Sequence, residues 1–245
     1  MPILNNYNTL STRYQKTIAK PDKLFSTLPT VLRIAGDLKD KTILDLGCGA
    51  GFFTQELAAG GAKKVWGIDN SKKQISLANK NQAKNIEYIL GDIFQDKLPA
   101  ADIIVAPYVI NYASNLKQLK SLFQNIYEGL NKDGKLIIVI DLPEGKDLKK
   151  FGAIKKVLGD KEDGAGMEIN LFKDNSFICT LNAFYFTPKT IEKTLKLLGF
   201  INVFWHKPII SEEGIKILGN KFWKGYVDAP ELGYLSAEKI LRNTI

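Results

Sequence analysis

An α/β fold built on a mostly parallel sheet is predicted by three features of this 245-residue chain. Short apolar runs recur at Ile43–Leu44, Lys64–Asp69, Asn85–Leu90, Asp102–Ala106 and Lys135–Asp141, and stretches with helical spacing separate them. Strands alternating with helices give βαβ units and hence parallel pairing. The first run passes directly into a turn with Gly47, Gly49 and Gly51 at every second position. Glycine lets a backbone approach a ligand with no Cβ in the way. In open α/β sheets ligands bind beyond the carboxyl ends of the strands, so this turn is the predicted site.

Two ligand classes compete for such a turn. A dinucleotide site has G-x-G-x-x-G with a helix N-terminus aimed at a pyrophosphate. Here the spacing is G-x-G-x-G, with Asp45 two residues ahead of it. A carboxylate there repels a pyrophosphate and suits a cationic amino group, so an adenosine carrying an amino-acid moiety fits better. The run Asp45-Leu46-Gly47-Cys48-Gly49-Ala50-Gly51 resembles the first motif of class I S-adenosylmethionine-dependent methyltransferases. That resemblance implies a Rossmann-like seven-stranded, mostly parallel sheet with helices on both faces and its last strand antiparallel. It also implies S-adenosylmethionine as cofactor, with S-adenosylhomocysteine as product.

Length and composition allow one sizeable domain with insertions. The whole chain reads as one such domain, with 1–40 an N-terminal helical cap, 41–141 the cofactor-binding core and 142–245 the substrate side. The hydrophobic fraction of 45% and charged fraction of 24% are ordinary for a globular protein. No apolar run approaches the roughly 20 residues a membrane span needs. The start of the chain lacks the pattern of a signal peptide, and two cysteines, Cys48 and Cys179, make no disulfide framework, so a cytoplasmic location is expected. The net charge of +8 raises the question of nucleic acid. Its carriers are nearly all lysines; Arg13, Arg33 and Arg242 are the only arginines. Arginine is the residue for bidentate phosphate and guanine contacts, and dispersed lysines read as a solvated surface, which argues against a nucleic-acid partner. The sequence leaves monomer and homodimer equally open.

Ahead of the core, Lys23–Ala35 carries apolar residues near helical spacing, and Pro29 suits a helix start within it. By resemblance an N-terminal segment folds over the cofactor, and Tyr14 reaches its methionine end; a half-buried tyrosine with its hydroxyl in water fits the same position. Phe52–Ala59 reads as the helix after the glycine turn. Lys64–Asp69 ends in an acid one βα unit further on, where a carboxylate accepts from both ribose hydroxyls. Asn70 and Ser71 then cap a helix over Lys72–Lys80. After Asn85–Leu90, Asp92 and Ile93 match the family positions for the adenine amine and ring; Asp92 also suits an ordinary turn. The resemblance extends cofactor contacts to Gly47, Cys48, Gly49, Gly51, Asn70 and Ala106, beside Asp45, Asp69, Asp92, Ile93 and Tyr14.

The transferred methyl is expected beyond Asp102–Ala106, next to Pro107-Tyr108-Val109-Ile110-Asn111-Tyr112, where Tyr108, Asn111 and Tyr112 are candidate substrate contacts. Methyltransferases acting on adenine, cytosine or glutamine nitrogens carry Asn/Asp-Pro-Pro-aromatic there. This chain has Ala106-Pro107-Tyr108, without the polar acceptor, which argues against that subclass. Leu116–Leu130 reads as an amphipathic helix, Asn131-Lys132-Asp133-Gly134 as a turn and Lys135–Asp141 as the fifth core strand.

Beyond the core, Glu144–Gly166 reads as a mobile helix and loop. Met167–Phe172 and Ser176–Phe186 read as an inserted β-hairpin. Thr187 caps a helix with Pro188 at its first position, ending at Gly199. Ile201–His206 is the sixth strand, Ser211 caps a helix through Tyr226, and Leu232–Lys239 is the last strand. This order is similar to small-molecule methyltransferases of the toxoflavin-biosynthesis type.

Methyl transfer from a sulfonium asks for alignment and a dry cavity, and the absence of a Ser-His-Asp set or metal-ligand cluster in the sequence agrees with that. An acceptor hydroxyl or ammonium benefits from a base, and the candidate catalytic residues are His206, Tyr108 and Asn111, with Glu168 and Tyr185 behind them. Structural roles in a helix or at a rim fit Asn111 and His206 equally well. Phe184, Phe186, Phe204, Trp205 and Trp223 suit either a planar substrate's pocket or a core. The expected activity is methylation of an oxygen or nitrogen of a small molecule. An RNA or protein methyltransferase, a cofactor-binding regulatory domain and a nicotinamide-dependent dehydrogenase are the alternatives.

Overall fold

The computed structural model describes residues 5–8, 10, 20–144, 147–227 and 231–240. Tyr14, proposed above for the cofactor, lies outside the described residues.

Seven strands form the main sheet: β1 (Thr42–Leu46), β2 (Lys64–Asp69), β3 (Ile86–Leu90), β4 (Ala101–Pro107), β5 (Leu130–Asp141), then β9 (Ile201–His206) and β10 (Leu232–Lys239) in the order β3-β2-β1-β4-β5-β10-β9. The pairs among β1 to β5 are parallel, and β10 runs antiparallel between β5 and β9. The order turns back between β1 and β4, so the carboxyl ends of these two strands open a crevice.

The central strands are buried on both faces, as parallel strands under two helical layers must be. In β1, Leu44 and Leu46 enter one core with Ile104, Phe123 and Leu235. Ile43, pointing the other way, enters a second core with Val31, Leu57 and Val65. Asp45 alternates onto the face of Ile43, which turns its carboxylate toward the helix after the glycine turn.

Helices flank the sheet: α1 (Leu28–Ala35), α2 (Phe52–Ala59), α3 (Lys72–Ala78), α4 (Leu116–Gly129), α5 (Pro188–Leu197) and α6 (Glu212–Trp223). In α4 the buried residues Leu119, Leu122, Phe123 and Ile126 make the single apolar stripe its spacing predicts, and Asn115 caps it by accepting from Gln118 N. Pro29 opens α1, and the five residues before it, Lys23–Thr27, form a π turn in which Leu28 N donates to Lys23 O. Ser71, not Asn70, is the N-cap of α3, its Oγ accepting from Gln74 N. The Asn131–Gly134 turn is a bulge inside β5, with Asp133 at φ 59°. Among the described residues no helix is long and apolar enough to cross a membrane.

The hairpin β7 (Gly166–Lys173) and β8 (Ser176–Phe184) is present, its turn made by Asp174 and Asn175, both at positive φ. It is one part of a three-stranded antiparallel sheet, because β6 (Ala153–Val157) lies where the sequence suggested helix and loop. Two lysines mask that strand. Ala153, Lys155 and Val157 face inward in strict alternation, and Lys155 is tolerated there because Nζ meets Asp141 Oδ1 at 2.6 Å.

Candidate functional site

The parallel strands deliver their carboxyl ends to one edge, and a cavity of about 400 Å³ opens there. Its wall is made by Gly47, Cys48 and Gly49 after β1, Asp69 and Asn70 at the end of β2, Asp92 and Ile93 after β3, and Tyr108 after β4. Asn5 and Tyr7 close it from the N-terminal side. Asn5 is held there by a two-way pairing with the backbone of Asn182 in β8, at 2.8 and 2.9 Å. The Tyr7 hydroxyl pairs with that of Tyr112, and Asn8 Oδ1 accepts from Ser71 Oγ at 2.9 Å.

The three glycines of the turn differ in what they do. All have positive φ. A Cβ at Gly47 would stand 2.2 Å from Val109 Cγ1, and one at Gly51 would stand 2.2 Å from Tyr88 Oη. Those two positions are filled by neighbouring side chains. A Cβ at Gly49 would meet nothing nearer than Gln74 Oε1 at 4.0 Å, so the bare backbone faces the cavity there.

Asp69 ties the turn to β2. Its Oδ2 accepts from Gly49 N at 2.9 Å and its Oδ1 from Ser71 N at 2.8 Å. Burial raises its pKa, against the pull of these two hydrogen bonds. Asp92 accepts from Phe94 N at 3.0 Å and from Gln95 Nε2 at 2.6 Å.

A second, smaller cavity of about 50 Å³ lies against the first and shares Lys23, Tyr108 and Tyr112 with it. Asp141 at the end of β5, Lys155 of β6 and the apolar Ile169, Leu171 and Leu181 of the small sheet complete it. Tyr108 stands between the two spaces in the left-handed region at φ 65°, its hydroxyl donating to Thr27 Oγ1 at 3.2 Å. Burial holds its pKa well above the usual phenol value, so it is a neutral hydroxyl.

Residues 37–157 match the family model described as a methyltransferase domain. A protein of Haemophilus influenzae described as uncharacterized is 27% identical over 93% of each chain. A candidate protein N5-glutamine methyltransferase of Methanocaldococcus jannaschii is 28% identical, over 60% of this chain and 76% of its own. Among solved structures, an S-adenosylmethionine dependent methyltransferase from Mesorhizobium loti shares the fold with a TM-score of 0.63 at 18% identity, covering 90% of this chain and 99% of that one. Residues 37–157 are thus a methyltransferase domain on the class I, S-adenosylmethionine-dependent fold.

The methyltransferase brings Gly47, Cys48, Gly49, Asp69, Asn70, Asp92, Ile93 and Tyr108 to one cavity, as the sequence suggested. Three other cofactor candidates stand elsewhere. Asp45 is buried behind the wall, where Oδ2 accepts from Thr54 Oγ1 of α2 at 2.6 Å, and burial raises its pKa to about 7. Gly51 is the N-cap of α2 against Tyr88, and Ala106 is enclosed within β4.

Asn111 is a structural clamp rather than a reacting group. Its Oδ1 accepts from Asp141 N at 2.8 Å while Nδ2 donates to Phe184 O at 3.0 Å and Asp141 O at 3.3 Å. It thereby pins the end of β5 to β8. His206 lies on the edge strand β9 and lines neither cavity. Its Nε2 pairs with Ser236 Oγ at 2.7 Å, and burial, with Arg33 and Lys135, lowers its pKa. His206 therefore stands apart from the cavities that hold the other candidates.

Glu168 and Tyr185 also lie off both cavities, as do the five aromatic candidates. Phe186 is in the main core, Trp223 stacks on Phe151, Trp205 Nε1 donates to Glu192 Oε1 at 2.8 Å, and Phe204 is exposed. Tyr112, a candidate substrate contact, lines both spaces. The residues missed by sequence reasoning are Lys23, Asp141 and Lys155, and nothing in local spacing marks them.

Proposed function

We propose that the methyltransferase acts on an oxygen or nitrogen of a small molecule whose reacting end enters the smaller cavity. The observation that carries this reading is the shared wall: Tyr108 and Tyr112 line both spaces, so a group in the smaller one is adjacent to a ligand in the larger. At about 50 Å³ the smaller cavity has room for a few heavy atoms. Its covers are the small sheet and, from the N-terminal side, Lys20, Asp22 and Lys23.

The residues present fit the cofactor. The volume of the larger cavity suits a nucleoside carrying an amino acid. A carboxylate has about four acceptor sites, and Asp69 uses two on backbone N–H groups, leaving two for a ribose diol. Asp92 likewise keeps two for the adenine amine, and Ile93 offers an apolar side to the ring. Gly49 supplies the side-chain-free approach, while Asp45 supports the turn through Thr54 from behind. When bound, the cofactor supplies an electrophilic methyl whose leaving group needs no proton.

The chain's own groups align and enclose. Tyr108 is fixed by its bond to Thr27 and by Tyr108 N donating to Val139 O at 2.8 Å, and its neutral side chain lines both spaces. Asn111 keeps Asp141 in place at the smaller cavity. The nearby Lys155–Asp141 pair gives that cavity a dipolar wall suited to a polar acceptor.

A protein acceptor, the substrate class named for the M. jannaschii relative, is less well supported. Ala106 occupies the place of the polar residue such enzymes use to hold an amide, and it is fully enclosed. The test is transfer of labelled methyl from S-adenosylmethionine into a cell extract separated by dialysis into small-molecule and macromolecular fractions. Label is expected in the dialysable fraction; label confined to protein or RNA overturns the reading.

A further inference from the structure

The larger cavity is acidic at one end, where Asp69 and Asp92 stand, and among its described lining residues Lys23 is the one cation. Lys23 sits toward α2, with Nζ 4.6 Å from the Phe52 ring centre and 5.3 Å from that of Phe53. Its backbone is fixed, since Asp22 Oδ1 accepts from Lys23 N at 2.8 Å at the start of the π turn. Single π turns recur at functional sites.

The side chain is 7% exposed, yet among the described residues its Nζ has neither a hydrogen-bond acceptor nor an ion-pair partner. The charged and titratable groups around it are Lys20 and Asp22 on its own segment, Asp45 from β1 and Tyr108 after β4, with Asp141 and Lys155 across the smaller cavity. Burial, then Lys20, lowers its pKa to about 8, and Asp45 and Asp22 oppose the shift. A buried ammonium with no hydrogen-bonded acceptor is a destabilising arrangement, and an incoming carboxylate relieves it.

We propose that Lys23 is the seat of the cofactor's amino-acid carboxylate, and that this contact separates the full nucleoside-amino-acid ligand from the same molecule without its carboxylate. The inference rests on the S-adenosylmethionine reading of the larger cavity and adds to it the polarity of binding: nucleoside toward Asp69 and Asp92, amino acid toward Lys23. It also makes binding proton-linked. A carboxylate at Nζ raises the amine's pKa, so at alkaline pH, where the free enzyme's amine is largely neutral, binding draws a proton from solution.

The experiment is calorimetric titration of the full chain with S-adenosylhomocysteine and with its decarboxylated analogue, which keeps the amine. In Lys23→Met, affinity for S-adenosylhomocysteine is expected to fall roughly 10- to 100-fold, the range for a lost charge-assisted hydrogen bond, while the analogue changes by less than about twofold. Lys23→Gln, polar and of similar length, gives the same pattern if charge rather than packing decides it. Titrations near pH 9 in buffers of differing ionisation enthalpy are expected to show proton uptake for wild type and none for Lys23→Met. Equal effects on both ligands, unchanged affinity in both variants, or no uptake by wild type would overturn the assignment of Lys23. Failure of wild type to bind either ligand would instead overturn the reading of the cavity.

Discussion

The Asp69 carboxylate and the Gly49 amide, twenty residues apart, are joined by a hydrogen bond of 2.9 Å, and through it the end of β2 sets the shape of the turn after β1. The acid expected to hold a ribose is therefore also the brace of the turn beside it. Its other oxygen accepts from Ser71 N, which starts α3. Three elements thus meet on one side chain.

Replacing Asp69 by alanine removes both roles together. The amides of Gly49 and Ser71 lose their acceptor, and the two free acceptor sites go with them. Binding of S-adenosylhomocysteine is expected to weaken by roughly 1–3 kcal/mol, and thermal stability is expected to fall in the free protein as well. Calorimetry and a melting curve on the same sample separate the effects. A variant that loses affinity with an unchanged melting curve would mean that the brace matters little.

The glycines make a sharper contrast. Gly51→Ala places a Cβ 2.2 Å from Tyr88 Oη at φ 88°, so overpacking adds to backbone strain, and a loss of about 2–4 kcal/mol in stability is expected. Gly49→Val meets only the backbone strain of φ 56°, about 1–2 kcal/mol, because the space beside it is open. Its side chain instead enters the cavity, so cofactor binding is expected to vanish while the fold persists. Urea unfolding and ligand titration of both variants check the pairing. Equal stability losses would show that the turn is uniformly packed.

The core of this fold was legible because its signals are local. Apolar runs, helix spacing, caps at Ser71, Thr187 and Ser211, and the glycine turn each lie within a dozen residues. The cofactor side of the site follows from strand ends, which is why Asp69, Asp92 and Ile93 reach one cavity. The acceptor side depends on long-range packing. Lys155 looks like a surface lysine until β6 pairs with β7 and turns it onto Asp141, and Lys23 looks like the first residue of an amphipathic helix. His206 drew attention as the only histidine, but the insertion of β10 beside β5 leaves β9 at the sheet edge. Asn111 has a polar side chain suited to catalysis, yet its partners are the backbones of β5 and β8, more than 25 residues away.

Asp45 gives a pH-dependent prediction whose sign is fixed by burial. Its carboxyl is enclosed between β1 and α2, with Oδ2 accepting from Thr54 and Oδ1 buried without a partner. Burial outweighs the Thr54 hydrogen bond and the attraction of Lys23, and its pKa rises from 3.8 to about 7 in the folded state. The unfolded chain sheds this proton near pH 4 and the folded one keeps it to about pH 7, so this group's contribution to stability is fully present below about pH 4 and declines as pH rises to 7. Asp45→Asn keeps an acceptor for Thr54 and removes the ionisation. The variant is expected to gain on wild type between pH 5 and pH 8, whatever constant offset the amide introduces. Lys23 slopes the opposite way but at higher pH: its pKa is lowered from 10.5 to about 8, so its cost is relieved only as pH rises through that interval, above the window in which Asp45 acts. Urea midpoints measured for both at pH 5 and pH 8 decide it: a difference that does not change with pH would mean that Asp45 ionises like an exposed carboxylate and that the cavity beside it is wet.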